Sequence, residues 1–124
     1  MTSIEQVAEG LPETEKLYLI DSYAKTCPSV ILRVVKHRGA RRYVVLDRTL
    51  FHPLAGGQPS DSGFIEGEGF RFQVKKVLLH GGVVVHFGKL VGREPQAGEP
   101  VRCVLDWEKR YLVKRYVDGS PTSA

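Results

Sequence analysis

The sequence has few cysteines and no long apolar run. Its two cysteines, Cys27 and Cys103, are too few for a disulfide framework and lack the close spacing of a metal-binding pair. We expect both to be small buried side chains in a reducing cytosol. No segment reaches the roughly eighteen consecutive apolar residues of a membrane helix, and residues 1–5 lack the basic and apolar stretches of a secretory signal. These absences predict a cytoplasmic protein that does not enter membranes.

Metal-ligand spacing is also missing among the histidines. They occupy positions 37, 52, 80 and 86, and none forms an H-x-x-x-H or H-x-x-E-H pattern. His86 stands in the middle of an apolar run, so we interpret it as a half-buried histidine with satisfied hydrogen bonds. The residues alone therefore predict no metal site and no cofactor in this chain.

Basic residues are concentrated in one part of the chain. A length of 124 residues with net charge +4 fits one domain with a single core. Residues 1–15 carry four acids and no base, whereas residues 33–48 carry six bases and one acid. Such a cluster can bind a phosphate backbone, but basic side chains also commonly do no more than solvate a hairpin. Both interpretations stay open. The candidate phosphate contacts are Arg38, Arg41, Arg42 and Arg48.

Short apolar alternations separated by turn residues predict an all-β domain. Hairpin turns are expected at Gly39 and at Gly81-Gly82, and Lys76, which interrupts one alternation, predicts a β-bulge. Several short strands with frequent turns are typical of a barrel or a sandwich, and the pattern does not choose between them. The expected strands are residues 17–20, 29–37, 43–47, 64–66, 70–79, 83–87 and 101–105.

Three segments carry no strand pattern. Residues 1–15 are acidic and poorly periodic, and we predict a loosely held tail or one short helical turn there. Residues 88–100, rich in glycine and proline, predict a polar connection. Asp106 is placed to cap a C-terminal helix with Trp107 and Tyr111 on one face.

A long loop of unusual composition follows the third expected strand. Gly56 and Gly57 give its centre conformational freedom, while Pro53 and Pro59 stiffen the chain on either side. Such residues are ordinary in surface loops, but loops of a dozen residues in compact domains are uncommon unless they are functional or disordered. Four polar functions lie within thirteen positions: the hydroxyl of Thr49, the ring of His52, the amide of Gln58 and the carboxylate of Asp61.

Residues 47–63 read Asp-Arg-Thr-Leu-Phe-His-Pro-Leu-Ala-Gly-Gly-Gln-Pro-Ser-Asp-Ser-Gly. This segment resembles the glycine-rich motif of the alanyl-tRNA synthetase editing domain and of its free-standing relatives, the AlaX proteins. The family pattern is approximately D-R-T-x-F-Y-P-E-G-G-G-Q-P-x-D-x-G, and the departures that matter for the loop are His52 and Ala55. The resemblance implies a small closed barrel of six to seven strands, like that of the translation elongation factors. We expect the barrel and its terminal helix at residues 16–116, after a flexible tail (1–15) and before a disordered stub (117–124).

The same resemblance implies roles for individual residues. Thr49 would contact the hydroxyl of a mischarged serine, and Asp61 would hold the loop. Three loop residues, Gly56, Gly57 and Gln58, would shape the pocket or approach the tRNA acceptor end. With tRNA as the partner that the resemblance implies, the basic cluster found by charge counting supplies the candidate tRNA contacts, Arg38, Arg41, Arg42 and Arg48.

The resemblance also implies what this chain lacks. In AlaX proteins the helix that begins at D-W-x-x-R leads into a second domain, where the two histidines of H-T-A-x-H help to hold zinc. Val117 and Pro121 occupy the aligned positions, and neither can bind a metal. We therefore expect a recognition half without catalytic residues, inactive alone, that serves the deacylation of serine- or glycine-charged alanine tRNA. Zinc would come only with a separate catalytic domain, which makes a zinc-domain chain an expected partner.

Other functions remain open at this point. A stand-alone RNA-binding barrel would use the basic hairpin between residues 33 and 48. A protein-interaction module or an inactive truncated remnant would expose apolar surface around Trp107 and Tyr111, which would favour a homodimer.

Overall fold

Six antiparallel strands form a closed barrel in the computed structural model, which describes residues 4–19, 25–54 and 60–106. The elements are α1 (Ile4–Ala8), β1 (Glu15–Lys16), a 3₁₀ turn (Leu17–Leu19), β2 (Thr26–Lys36), β3 (Arg41–Leu46), β4 (Arg48–Thr49), β5 (Gly63–Gly67), β6 (Phe70–His80), β7 (Val83–Gly92) and β8 (Pro100–Leu105). Around the barrel the order is β2-β3-β7-β6-β5-β8, and the pairing of β8 with β2 closes it. A separate short parallel pair joins β1 to β4.

The predicted all-β barrel is confirmed, with details that follow the sequence pattern. The register shifts between Val74 and Lys76 on β6, which is the predicted bulge. Gly39, Gly81 and Gly82 all have positive φ, at 58°, 58° and 83°, as the two tight hairpins require. The predicted C-terminal helix falls outside the described residues.

Two of the expected elements are wrong. Leu17–Leu19 forms a 3₁₀ turn, not a strand, and its first two side chains pack against the barrel core from outside the sheet. The strand β7 continues to Gly92 instead of ending before Gly88. A Cβ at Gly88 would lie 1.8 Å from the carbonyl oxygen of Gln73, so this glycine allows close strand approach and does not mark a turn.

The barrel interior is filled by one apolar cluster. Inward-facing residues alternate along each strand with outward-facing ones, and the two cysteines, Cys27 and Cys103, are buried free thiols opposite each other on β2 and β8. The buried positions expected for them are confirmed. The largest buried apolar side chains include Phe51, Phe72, Ile31, Leu46, Leu50 and Ile65.

The helix α1 covers part of the outer barrel surface. Val7 is fully buried against Val45, Val83 and Val85 on the outer face of β3 and β7. Arg33 donates to the carbonyl oxygens of Val7 and Glu9 at 2.9 and 2.8 Å, which satisfies groups that the short helix leaves free. For residues 1–15 the sequence predicted either a loosely held tail or one short helical turn. The structure has the helical turn, α1, and it packs on the sheet. No helix in residues 4–19, 25–54 or 60–106 has the length and apolarity to cross a membrane.

Candidate functional site

The long loop after β4 is held at its base by two reciprocal hydrogen bonds. The backbone N–H of His52 donates to Oδ2 of Asp61 at 2.8 Å. In return, the N–H of Asp61 donates to the carbonyl oxygen of His52 at 3.0 Å. These bonds join a leading arm, residues 50–54, to a returning arm, residues 60–63. Asp61 therefore lies at the base of the loop.

Val77 on β6 fixes both arms to the barrel. The N–H of Leu54 donates to the carbonyl oxygen of Val77 at 2.9 Å, and the N–H of Val77 donates to Oγ of Ser60 at 3.0 Å. The pairing of β5 with β6 ends at Val74, so the two arms take over that edge of β6. The predicted residues Gly56, Gly57 and Gln58 lie between the arms and outside the described residues.

Thr49 is fully buried where β4 runs into the leading arm. Its Oγ1 lies 2.8 Å from Nε2 of His86 and accepts a hydrogen bond from the N–H of Phe51 at 3.1 Å. The other ring nitrogen of His86, Nδ1, lies 2.9 Å from the carbonyl oxygen of Val44. Since a carbonyl only accepts, Nδ1 carries the proton of the neutral ring, and Nε2 accepts from the Thr49 hydroxyl.

Burial keeps the imidazole of His86 neutral. Desolvation lowers its pKa to about 4, while the bond to the Val44 carbonyl acts in the opposite direction. The predicted satisfied histidine is thus present, but it is fully buried, not half-buried. At neutral pH the Thr49 hydroxyl donates to His86 and accepts from Phe51, which leaves one lone pair of Oγ1 for a further donor.

A small cavity opens beside the returning arm, where it enters the barrel. Its volume is about 280 Å³, and its lining includes Ser62, Gly63, Lys75 and Asp106. A Cβ at Gly63 would lie 2.1 Å from the carbonyl oxygen of Val104. Only glycine therefore lets the returning arm pass here.

The structure brings together two of the four arginines proposed as phosphate contacts. Arg38 and Arg41 line an open cleft of about 570 Å³ at the β2–β3 hairpin. Arg48 lies elsewhere, with Nε 3.8 Å from Oε1 of Glu15 and 3.7 Å from Oδ2 of Asp47. Its charge is therefore already partly balanced.

The guanidinium of Arg42 forms hydrogen bonds within the barrel. It lies on the same side of β3 as the buried core residue Val44, and its Nε and Nη2 donate to the Glu94 carboxylate at 2.9 and 2.7 Å. Its Nη1 donates to the carbonyl oxygens of Gly39 and Arg41, both at 2.8 Å. The hydrogen bonds from Arg42 lower the pKa of Glu94. This guanidinium has little capacity left for a phosphate.

Sequence reasoning missed two features of these sites. Alternation placed His86 in an apolar strand, but its bond to Thr49 depends on the register that sets Val44 opposite His86. Lys75 and Lys89 join Arg38 and Arg41 in the cleft because β6 and β7 lie beside the hairpin. Their exposed positions in alternating strands were the only sequence signal.

The described residues do not fit a zinc site. No group of three or more histidine, cysteine, aspartate or glutamate side chains among residues 4–19, 25–54 and 60–106 could hold a metal ion. Both ring nitrogens of His86 already have partners.

Comparison with known proteins agrees with the barrel and the motif. The family model for class II (A) tRNA synthetases matches residues 23–109. The alanyl-tRNA editing protein AlaX-L of Pyrococcus horikoshii is 43% identical over 97 residues, which are 78% of this chain and 24% of that protein. The AlaX-M editing protein of Methanosarcina barkeri is 38% identical over 102 residues, 79% of this chain and 40% of that protein. An alanine–tRNA ligase of Pyrobaculum neutrophilum is 39% identical over 110 residues, 89% of this chain and 12% of the ligase.

The fold, the motif and these matches define a barrel module related to class II tRNA synthetases. More narrowly, the chain belongs to the family of AlaX-type editing proteins and alanyl-tRNA synthetase editing domains. It spans between 12% and 40% of the length of the three relatives named above.

Proposed function

We propose that this chain is the recognition half of an aminoacyl-tRNA deacylase acting on alanine tRNA that carries serine or glycine. The observation that carries the proposal is the motif loop at residues 47–63, present in a chain of this family and pinned by both arms to the barrel. Its partner would be alanine tRNA, and its place of action the cytoplasm.

In this proposal Thr49 recognises serine by its hydroxyl. The remaining lone pair of Oγ1 accepts the serine O–H, and alanine, which has no hydroxyl, leaves it unpaired. Because Thr49 is fully buried, serine reaches its hydroxyl only if the packing around it opens. Gly56, Gly57 and Gln58 shape the pocket wall or approach the acceptor end, and Asp61 holds the loop.

We propose that catalysis comes from a zinc-binding domain outside the barrel. Ester hydrolysis needs an activated water and stabilisation of developing negative charge, and no residue of this chain is assigned to either task. The zinc domain would belong to a separate chain or to a longer form of the protein. The isolated chain is then inactive as a deacylase.

Deacylation of serine-charged alanine tRNA tests this assignment. The purified chain, with zinc in the buffer, is compared with residues 1–116 fused to a zinc-binding domain that opens with H-T-A-x-H. We expect turnover from the fusion only, and its loss of serine preference over alanine on Thr49→Val. Turnover by the chain alone would refute the division of roles, and a fusion whose preference survives Thr49→Val would refute the role of Thr49.

A stand-alone RNA-binding module is the second candidate, and the basic cleft at the β2–β3 hairpin favours it. It differs from the first in requiring no aminoacyl group. Equal affinity for charged and uncharged alanine tRNA, with no activity in the fusion, would favour this candidate. Gel filtration at two concentrations separately tests the homodimer that the protein-interaction alternative predicts.

A further inference from the structure

The outer face of β3 and β7 changes character along its length. On one face of a sheet, directly opposed residue pairs recur at every second position along the strands. The first such pair on this face, Val45 with Val85, lies under α1. Beyond the helix, Tyr43 is paired with Phe87, and their ring centroids are 5.0 Å apart. The last pair on this face is Arg41 with Lys89. On this outer face the aromatic pair Tyr43–Phe87 is therefore followed by the basic pair Arg41–Lys89.

The cleft at this end is lined by four cations. Arg38, Arg41, Lys75 and Lys89 border it together with Phe87, and no acidic residue of the described ranges lines it. None of the four forms an ion pair with a described residue, whereas Arg42, Arg48, Arg71 and Arg93 all do. The cleft thus collects positive charge that no acidic side chain of residues 4–19, 25–54 or 60–106 pairs with.

The aromatic residue in the cleft, Phe87, is held in place by neighbouring rings. Phe87 meets His37 edge to face with centroids 5.6 Å apart, and His37 meets Tyr43 in the same way at 5.4 Å. These contacts fix the Phe87 ring while leaving it partly exposed. A fixed aromatic face beside a track of cations is the arrangement by which proteins bind single-stranded nucleic acid.

Lys75 connects this cleft to the motif loop. It lines the cleft with Arg41 and Lys89, and it also lines the cavity beside Ser62 and Gly63 on the returning arm. A strand bound in the cleft can therefore continue past Lys75 towards the loop, along a cavity whose lining also includes Asp106.

We propose that this cleft binds the phosphodiester backbone of single-stranded RNA, with one base stacked on Phe87, and leads an RNA 3′ end past Lys75 to the motif loop. The proposal rests on the proposed function, since it supplies the route by which an aminoacylated end reaches Thr49. Arg38, Arg41, Lys75 and Lys89 hold phosphates, and the RNA sequence is not read.

Fluorescence anisotropy with a labelled twelve-nucleotide single-stranded RNA ending in CCA tests the cleft. The double variant Lys75→Glu/Lys89→Glu should weaken binding at least tenfold and flatten the dependence of log Kd on log salt. Phe87→Leu should weaken binding at least fivefold without changing that slope, because stacking releases no counterions. The control Arg102→Glu removes an exposed cation from β8, across the barrel from β7, and should leave affinity nearly unchanged.

The outcomes separate the cleft from the proposed function. If Arg102→Glu weakens binding as much as Lys75→Glu/Lys89→Glu does, or if polyglutamate competes as well as RNA, the cleft assignment is wrong. If the cleft variants of the zinc-domain fusion still deacylate with unchanged KM, the cleft is wrong while the editing role stands. Thermal unfolding of each variant, expected at the wild-type midpoint, shows that lost binding is not lost folding.

Discussion

The Thr49 hydroxyl and the His86 ring form a hydrogen bond of fixed direction inside the barrel, 2.8 Å from Oγ1 to Nε2. The Val44 carbonyl at 2.9 Å fixes the proton on Nδ1, so the hydroxyl must donate. The start of the motif loop is therefore oriented by a ring that stands 37 residues later in the sequence.

We expect the neutral ring of His86 to be a single tautomer with the proton on Nδ1. Its low pKa, about 4, should keep it neutral well below neutral pH. Long-range ¹H–¹⁵N correlation spectra recorded between pH 7 and pH 5 would report a protonated Nδ1 and an unprotonated Nε2 throughout. An Nε2-protonated ring would contradict the direction assigned to the Thr49 hydroxyl.

His86 should make the protein less stable as the pH falls. Its folded pKa, about 4, lies below the ordinary value of 6.5, so the unfolded chain binds more protons between these pH values. The linked free energy of unfolding declines across that window by about 3 kcal/mol in total. Urea unfolding of wild type and His86→Gln at pH 7, 5.5 and 4.5 checks this. The variant should be less stable at pH 7 but lose less on acidification, and parallel declines would contradict the assignment.

Replacing Thr49 by valine should destabilise the barrel. The change keeps the side-chain shape but leaves Nε2 of His86 and the N–H of Phe51 without their partner in a buried place. We expect the free energy of unfolding to fall by about 2–4 kcal/mol. Thr49→Ser is the matched control, since it retains the hydroxyl and should cost only about 1 kcal/mol. Equal losses in urea unfolding would mean that the methyl group, not the hydroxyl, matters.

Alanine at position 63 should be far more costly than alanine at position 39. The new methyl group of Gly63→Ala meets the Val104 carbonyl and the Phe51 ring, so we expect a loss of about 3 kcal/mol or more. At Gly39, φ is also positive but the methyl group has open space, and about 1 kcal/mol is expected. Thermal or urea unfolding of both variants, compared at equal pH, decides the matter.

The neighbours Arg41 and Arg42 should respond in opposite ways to replacement by methionine. Arg42→Met removes the bonds to Glu94 and to two carbonyl groups, and should cost about 1–3 kcal/mol of stability. Arg41 is exposed, so Arg41→Met should leave stability nearly unchanged and weaken RNA binding. Unfolding and anisotropy measurements on both variants test this exchange. Stronger loss of RNA binding in a folded Arg42→Met protein would contradict it.

The sequence predicted the barrel where local chemistry decides the structure. Alternating apolar residues gave most strands, Gly39 and Gly81 gave hairpins, and Lys76 gave the bulge. It failed at Leu17–Leu19, whose apolar residues pack from a turn, and at Gly88, where a glycine serves strand approach. In both cases a contact with a distant segment decides the local structure, and the local sequence pattern does not contain that information.

In the candidate site, too, local sequence predicted some features and tertiary structure decided the others. The motif at residues 47–63 located the loop from sequence alone, and the order of its residues carried the resemblance. The partners of that loop, Val77 and His86, lie on strands whose register is set by the closed barrel. For the same reason, charge counting placed Arg42 with Arg41, although neighbours on a strand point to opposite faces.

Val77 binds Leu54 through its carbonyl oxygen and Ser60 through its N–H. Both ends of the segment between residues 54 and 60 are therefore fixed to the barrel. Insertions or deletions between residues 54 and 60 should therefore leave the barrel strands in register. We expect such changes of length to cost little folding stability.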